Sequence, residues 1–171
     1  MKPKRILVTG GARSGKSRFA ESLVEGQEAP LVYLATAQAF DAEMRERIRL
    51  HRERRDTRWT TLEAPLDLAQ ALGAQGRPEG FILVDCVTLW LSNMMLAERY
   101  GETASAALID AFRDSLGTVV LVTNEVGQGI VPENALARRF RDEAGILNQR
   151  LAEVADEVHA VMAGLPLRLK G

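Results

Sequence analysis

The feature that most constrains this chain is the octet Gly10-Gly11-Ala12-Arg13-Ser14-Gly15-Lys16-Ser17, set between an apolar run at residues 6–9 and a helical pattern over 16–24. It satisfies the spacing G-x-x-x-x-G-K-S at every defined position. Its glycines permit backbone conformations closed to residues that carry a Cβ. Successive N–H groups can therefore turn into one concavity and bind phosphate oxygens. The helix that starts there adds its own N-terminal donors and dipole. Lys16 is placed to reach the β- and γ-phosphates of a nucleotide, and the Ser17 hydroxyl to ligate magnesium. Strand before and helix after is the context that such a loop requires.

The remainder alternates in the same way. Apolar runs predict strands at residues 31–36, 58–62, 81–84, 118–123, 158–162 and 167–169. Helical periodicity predicts helices at 42–55, 66–72 (ended by Gly73), 89–100, 104–116 and 133–155, with a Gly-containing loop over 124–132. Alternation of this kind implies an α/β fold with a largely parallel central sheet flanked by helices, here a P-loop NTPase fold. With 171 residues, 46% of them hydrophobic, the chain can bury one good core, and no Pro-, Gly- or Ser-rich linker divides it. A single domain over residues 1–171 is expected.

Composition narrows the partners. A formal net charge of -1 speaks against a general nucleic-acid binder, which carries a basic excess. The lone Cys86 cannot form an internal disulfide, so a reducing cytoplasm is the expected compartment. The basic start is followed by an apolar run too short for a signal peptide, and no stretch is apolar for long enough to span a membrane.

Two further features carry chemistry. The run Phe81-Ile82-Leu83-Val84-Asp85 ends a buried strand on a carboxylate, which in a P-loop fold is the acidic partner of the magnesium site. Without the loop, Asp85 would be only a strand-ending residue. His51 shares the i, i+4, i+7 face of Met44 and Ile48 and so faces the protein body. Arg47, Arg52, Arg54, Arg55 and Arg58 lie close in sequence and could hold a triphosphate by charge-assisted hydrogen bonds. Their charge also favours a neutral, nucleophilic imidazole. Glu43, Glu46 and Glu53 are i,i+4 partners that commit some of these arginines to a solvated helix surface.

The sequence resembles the bifunctional adenosylcobinamide kinase/adenosylcobinamide-phosphate guanylyltransferase family of cobalamin biosynthesis. The resemblance runs through residues 6–17, Tyr33-Leu34-Ala35-Thr36-Ala37, Arg47-Ile48-Arg49-Leu50-His51 and Trp59-Thr60-Thr61-Leu62-Glu63. Its most specific part is Val122-Thr123-Asn124-Glu125-Val126-Gly127-Gln128-Gly129-Ile130-Val131-Pro132-Glu133-Asn134. Phe140-Arg141-Asp142 and Leu147-Asn148-Gln149-Arg150-Leu151-Ala152 extend it nearly to the C-terminus. Asp85 stands where some relatives carry Glu, and the 89–116 region diverges.

The resemblance implies two reactions. A nucleoside triphosphate, ATP or GTP, phosphorylates the terminal hydroxyl of the aminopropanol arm of adenosylcobinamide. GTP then donates GMP to adenosylcobinamide phosphate through a histidine-GMP intermediate, and His51 matches that histidine. By position it implies nucleotide contacts from Gly10, Gly11, Ala12, Arg13, Ser14, Gly15, Lys16 and Ser17, from Ala35, Thr36 and Ala37, and from Arg52, Glu53, Arg54, Arg55, Glu63 and Asp85. Mg2+ would be held by Ser17 and Asp85. A RecA-like fold and a homotrimer are also implied. The rival readings are a P-loop NTPase of regulatory or motor type without group transfer, and a non-catalytic nucleotide-binding subunit.

Overall fold

The computed structural model describes residues 2–27, 29–38, 46, 49 and 57–171. In chain order the elements are β1 (Arg5–Gly10), α1 (Lys16–Ser22), β2 (Leu31–Ala35), β3 (Trp59–Glu63), α2 (Leu68–Gln75), β4 (Phe81–Asp85), α3 (Val87–Leu96), α4 (Glu102–Arg113), β5 (Thr118–Val122), α5 (Ala135–Val154), β6 (Glu157–Met162) and β7 (Leu165–Lys170). The strands form one seven-stranded sheet in the order β3-β2-β4-β5-β1-β6-β7. Every neighbouring pair is parallel except β6 and β7, which form an antiparallel hairpin at the edge.

The central strands read as unbroken apolar runs because both faces of the sheet are covered. Alternate residues divide between the two layers. Leu7, Leu34, Ile82, Val84, Val119 and Leu121 pack with Trp90, Leu91, Leu108, Phe112, Leu147 and Leu151 from α3, α4 and α5. Ile6, Val8, Leu31, Tyr33, Leu83, Val120 and Val122 form the other layer, with Ala20 of α1 and Val24 just beyond it. Burying a Leu or Val side chain of this kind contributes about 1.5–3 kcal/mol.

The expected strands and helices within the described residues are present, with shifted ends. Helix α2 does not stop at Gly73. That glycine faces open space, and the helix runs on until Gly76, whose ψ of 116 is extended. Helix α3 begins two residues before the expected start because the Cys86 sulfur accepts from the Leu89 N–H at 3.4 Å and caps it. Asn134 caps α5, its Oδ1 accepting from Leu136 N at 2.8 Å and Ala137 N at 3.1 Å. The final strand is longer than expected and exposed throughout, with Leu165, Leu167 and Leu169 on one of its faces. Of the helix expected over 42–55, only Glu46 and Arg49 are described; both are helical, and an Arg49 Nη2–Glu46 Oε1 ion pair of 2.5 Å joins them.

Candidate nucleotide-binding site

Six parallel strands end on one edge of the sheet, and the residues with phosphate chemistry gather there. The Gly-rich loop leaves β1 at Gly10 and enters α1 at Lys16. A Cβ on Gly10 would lie 2.5 Å from the Val161 carbonyl oxygen and 2.7 Å from Ser14 Oγ, so only glycine lets β1 and β6 converge beneath the loop. Gly15 has φ +93, a left-handed conformation that favours glycine, and a Cβ added there would lie 3.1 Å from the Gly164 Cα. The Gly164 N–H donates to the Ser14 carbonyl at 2.8 Å, and the Glu125 N–H to the Gly10 carbonyl at 3.0 Å. The β6–β7 turn and the segment after β5 thus brace the two ends of the loop.

Within it, Lys16 is buried and its Nζ donates to the Gly11 carbonyl at 3.0 Å. The loop is folded around its own cation. Ser14 Oγ is buried with no hydrogen-bond partner, an orphaned hydroxyl at the mouth of a phosphate cradle. Gly11, Ala12 and Arg13 are exposed along the rim, and Ser17 lies half-buried in the first turn of α1.

The second set of predicted residues lines up by register. Ala35 pairs with Glu63 on one side and with Asp85 on the other, so the three form a row across β3, β2 and β4 at the carboxyl edge. Asp85 is half-buried, and its Oδ2 accepts from the Tyr33 hydroxyl at 3.3 Å. Glu63 is exposed at the end of the row, and Ala37 is half-buried just beyond β2. Thr36 lies deeper. Fully buried, its hydroxyl donates to the Cys86 carbonyl at 2.7 Å and receives the Cys86 N–H at 2.8 Å, which makes it a brace between β2 and β4.

Sequence reading missed a polar network directly behind this edge. Thr88 Oγ1 and Thr123 Oγ1 are 3.1 Å apart, and the Thr123 hydroxyl donates to Asn148 Oδ1 at 2.7 Å. The Asn124 N–H donates to Thr88 Oγ1 at 2.7 Å, and Asn148 Nδ2 donates to the Asn124 carbonyl at 3.3 Å. Asn93 Nδ2 donates to the Thr36 carbonyl at 2.8 Å and to the Pro65 carbonyl at 3.1 Å. These groups are bonded as buried polar atoms must be. The available signal was a polar residue interrupting an apolar helical face: Thr88 and Asn93 among Val87, Trp90, Leu91 and Met94, and Asn148 beside Leu147 and Leu151. Burial, with the Asp85 charge next in effect, pushes the Cys86 thiol up to about 12, so it stays protonated.

His51, Arg52, Glu53, Arg54 and Arg55 lie outside the described residues, as does Arg47. Arg58 does not join the site. It precedes β3 at the opposite edge of the sheet, where Nη1 donates to the Gln27 carbonyl at 3.2 Å.

A glycine-rich loop wrapped around a buried lysine, at the carboxyl edge of a parallel sheet covered on both faces, defines a P-loop α/β protein. Solved structures share the architecture. A Pyrococcus horikoshii OT3 protein from a structural study aligns over 98% of this chain and 86% of its own, with TM-score 0.58 and 10% identity. A prototypical ATPase from the type III secretion system of pathogenic bacteria aligns over 96% of this chain and 56% of its own, with TM-score 0.54 and 13% identity. At such identities the likeness is one of fold.

The sequence takes the assignment further: the chain belongs to the cobinamide kinase / cobinamide phosphate guanyltransferase family, whose profile matches residues 6–169. The bifunctional adenosylcobalamin biosynthesis protein CobP of Pseudomonas aeruginosa is 46% identical over 169 residues, covering 98% of both chains. Bifunctional adenosylcobalamin biosynthesis proteins named CobU, from Salmonella typhimurium and Escherichia coli, are 44% and 43% identical over 180 residues, 96% of this chain and 99% of theirs. Kinase and guanylyltransferase chemistry in cobalamin biosynthesis is therefore the activity of this chain's family, and the reading as a regulatory or motor NTPase yields to it.

Proposed function

We propose that the chain performs two transfers in succession at this edge of the sheet. In the first, the γ-phosphoryl group of ATP or GTP passes to the terminal hydroxyl of the aminopropanol arm of adenosylcobinamide. In the second, the His51 imidazole attacks the α-phosphorus of GTP and releases pyrophosphate. The GMP then moves from His51 to the substrate phosphate, giving adenosylcobinamide-GDP and restoring the histidine. The observation that carries the nucleotide reading is Lys16, buried yet cationic, at the centre of a loop whose N–H groups are its natural complement for phosphate.

Each residue has a role in this scheme. Gly10, Gly11, Ala12, Arg13, Ser14 and Gly15 supply the cradle, with Ser14 Oγ available to a phosphate oxygen. Lys16 offsets charge on the β- and γ-phosphates. Ala35 and Ala37 leave room beside the strand end, with Thr36 bracing it from below. Glu63 accepts from guanine or ribose donors, which favours GTP in the second reaction. Arg52, Arg54 and Arg55, with Glu53 among them, flank the histidine and neutralise the leaving pyrophosphate.

Ser17 and Asp85 suit Mg2+. They offer a hydroxyl and a carboxylate, both hard oxygen donors, and one carboxylate oxygen of Asp85 already carries the Tyr33 hydrogen bond. A cation that keeps phosphate and water ligands needs no more from the protein. Among the described residues no cluster of His, Cys, Asp and Glu forms a dedicated metal cage. When bound, Mg2+ supplies charge neutralisation on the phosphate oxygens.

We further infer a homotrimer. The support is the edge hairpin, where Met162, Leu165, Leu167 and Leu169 are exposed. A cytoplasmic location fits the lone buried Cys86, and no helix among the described residues is long and apolar enough to cross a membrane.

The decisive experiment follows label from α-labelled GTP in the wild-type and His51→Asn proteins, alongside turnover of adenosylcobinamide. An acid-labile, alkali-stable GMP adduct on His51 is expected, absent from the variant. The variant should also lose adenosylcobinamide-GDP formation while phosphorylating adenosylcobinamide. GMP found on another residue, or full guanylyltransfer by the variant, overturns the assignment.

A further inference from the structure

Strand β5 lies between β1, which bears the phosphate loop, and β4, which ends at Asp85. The chain leaving β5 therefore emerges between the two halves of the site. Its second residue past the strand is Asn124. The segment touches both sides: the Asn124 Nδ2 approaches Cys86 Sγ at 3.7 Å, and the N–H of the next residue, Glu125, donates to the Gly10 carbonyl at 3.0 Å.

The backbone of Asn124 is held far more firmly than its side chain. Its N–H is bonded to Thr88 Oγ1 at 2.7 Å and its carbonyl to Asn148 Nδ2 at 3.3 Å, while the Thr123 hydroxyl ties Thr88 and Asn148 together. Thr88 and Thr123 are buried, and the preceding N–H, that of Thr123, is bonded to the Val8 carbonyl at 2.9 Å. Two buried threonine hydroxyls and the half-buried Asn148 carboxamide are thus spent on fixing one backbone position. The carboxamide that this fixes is half-buried and rests against a neutral thiol, a weak acceptor at long range.

We propose that Asn124 is a further phosphate-contacting residue, and that Thr88, Thr123 and Asn148 are positioning residues that aim its Nδ2 at the terminal phosphate between Lys16 and Asp85. The proposal rests on the phosphate-loop reading given above. In the kinase step the bond between the γ-phosphorus and the β–γ bridging oxygen breaks and a bond to the substrate hydroxyl oxygen forms. The nucleoside diphosphate departs and the hydroxyl proton leaves to solvent. Nδ2 makes and breaks no covalent bond. It donates to a non-bridging oxygen as charge shifts there, a contribution that acts more on the transition state than on bound nucleotide.

The test uses the full chain with adenosylcobinamide and GTP, measuring kinase kcat, GTP Kd by calorimetry and the unfolding midpoint. Asn124→Ala leaves every backbone bond of the clamp in place, so the midpoint should hold. Its kcat should fall about 10²-fold, the scale seen when one preorganised donor is removed, with Kd changed less than about threefold. Asn124→Asp should fall further, because an isosteric anion then faces the phosphate. If Asn124 only packed, the isosteric Asp would be the milder change. Asn148→Ala should lower kcat in the same direction, and Asn124→Ala/Asn148→Ala should be no worse than Asn124→Ala, since the clamp acts through that side chain. A parental rate in Asn124→Ala, or Asp milder than Ala, overturns the proposal. Lys16→Ala is the control: if it binds GTP like the parent, the phosphate-loop reading itself fails, and this inference with it.

Discussion

Lys16 is a cation buried in a loop that offers it the Gly11 carbonyl, and a buried charge is retained where a ligand repays its desolvation. Lys16→Ala should therefore lower GTP affinity by about 10²-fold or more, the loss expected when one partner of a desolvated charge pair is truncated. Calorimetry checks it, and unchanged affinity would remove the loop from the site. Asp85→Asn should keep the Tyr33 contact in weakened form and leave the fold intact, while activity requires more magnesium. A magnesium titration identical to the parent's would reduce Asp85 to a strand terminator. Gly10 through Ser17 and Asp85 were legible in the sequence because their chemistry is local: the spacing dictates the loop, and the strand ends on its carboxylate. Thr88, Thr123 and Asn148 were not, because each gains its role from partners 25 to 36 positions away.

At the scale of elements, side-chain caps account for two of the helix starts that sequence periodicity placed imperfectly, those of α3 and α5. Periodicity reports which face is buried, whereas an end is set by which side chain satisfies the first free N–H groups. Asn134 does this for α5 with two backbone hydrogen bonds. Asn134→Ala should cost about 1 kcal/mol, read from chemical denaturation, with the denaturant slope unchanged. A stability equal to the parent's would show that the Arg138 side chain, which reaches the Pro132 carbonyl at 2.9 Å, suffices to hold this turn. Parallel pairing was readable from the unbroken apolar runs of β4 and β5, buried on both faces. The order of the strands was not, because the central parallel strands satisfy the same apolar pattern and only the helical crossovers choose among them.

Over the whole molecule, Glu157 joins distant parts of the chain. It accepts from Lys4 Nζ at 2.5 Å, His159 Nε2 lies 3.2 Å away, and Arg168 donates at 3.2 Å. The Lys4 hydrogen bond, more than any other influence, holds its carboxyl below the usual carboxylate value. A lowered folded-state value means that the stabilisation is present above the unfolded-state value and lost as pH falls through the folded one. Glu157→Gln should thus be less stable by about 1 kcal/mol at pH 7, and the difference should close on acidification below about pH 4. Melting curves across pH check this, and a difference independent of pH would assign the effect to packing. The hairpin to which Glu157 belongs also has a bearing on synthesis. In the sheet, strand β1, carrying the phosphate loop, pairs with residues 119–122 and 157–161. During synthesis this strand can pair with β5 once residues 119–122 have emerged, yet its other edge stays open until residues 157–161 follow. Chains truncated after residue 150 should leave the β6 edge of β1 open, bind no GTP and recruit chaperones, whereas chains carrying residues 157–171 should bind it. Nucleotide capture is in this way a report that translation has run through β6.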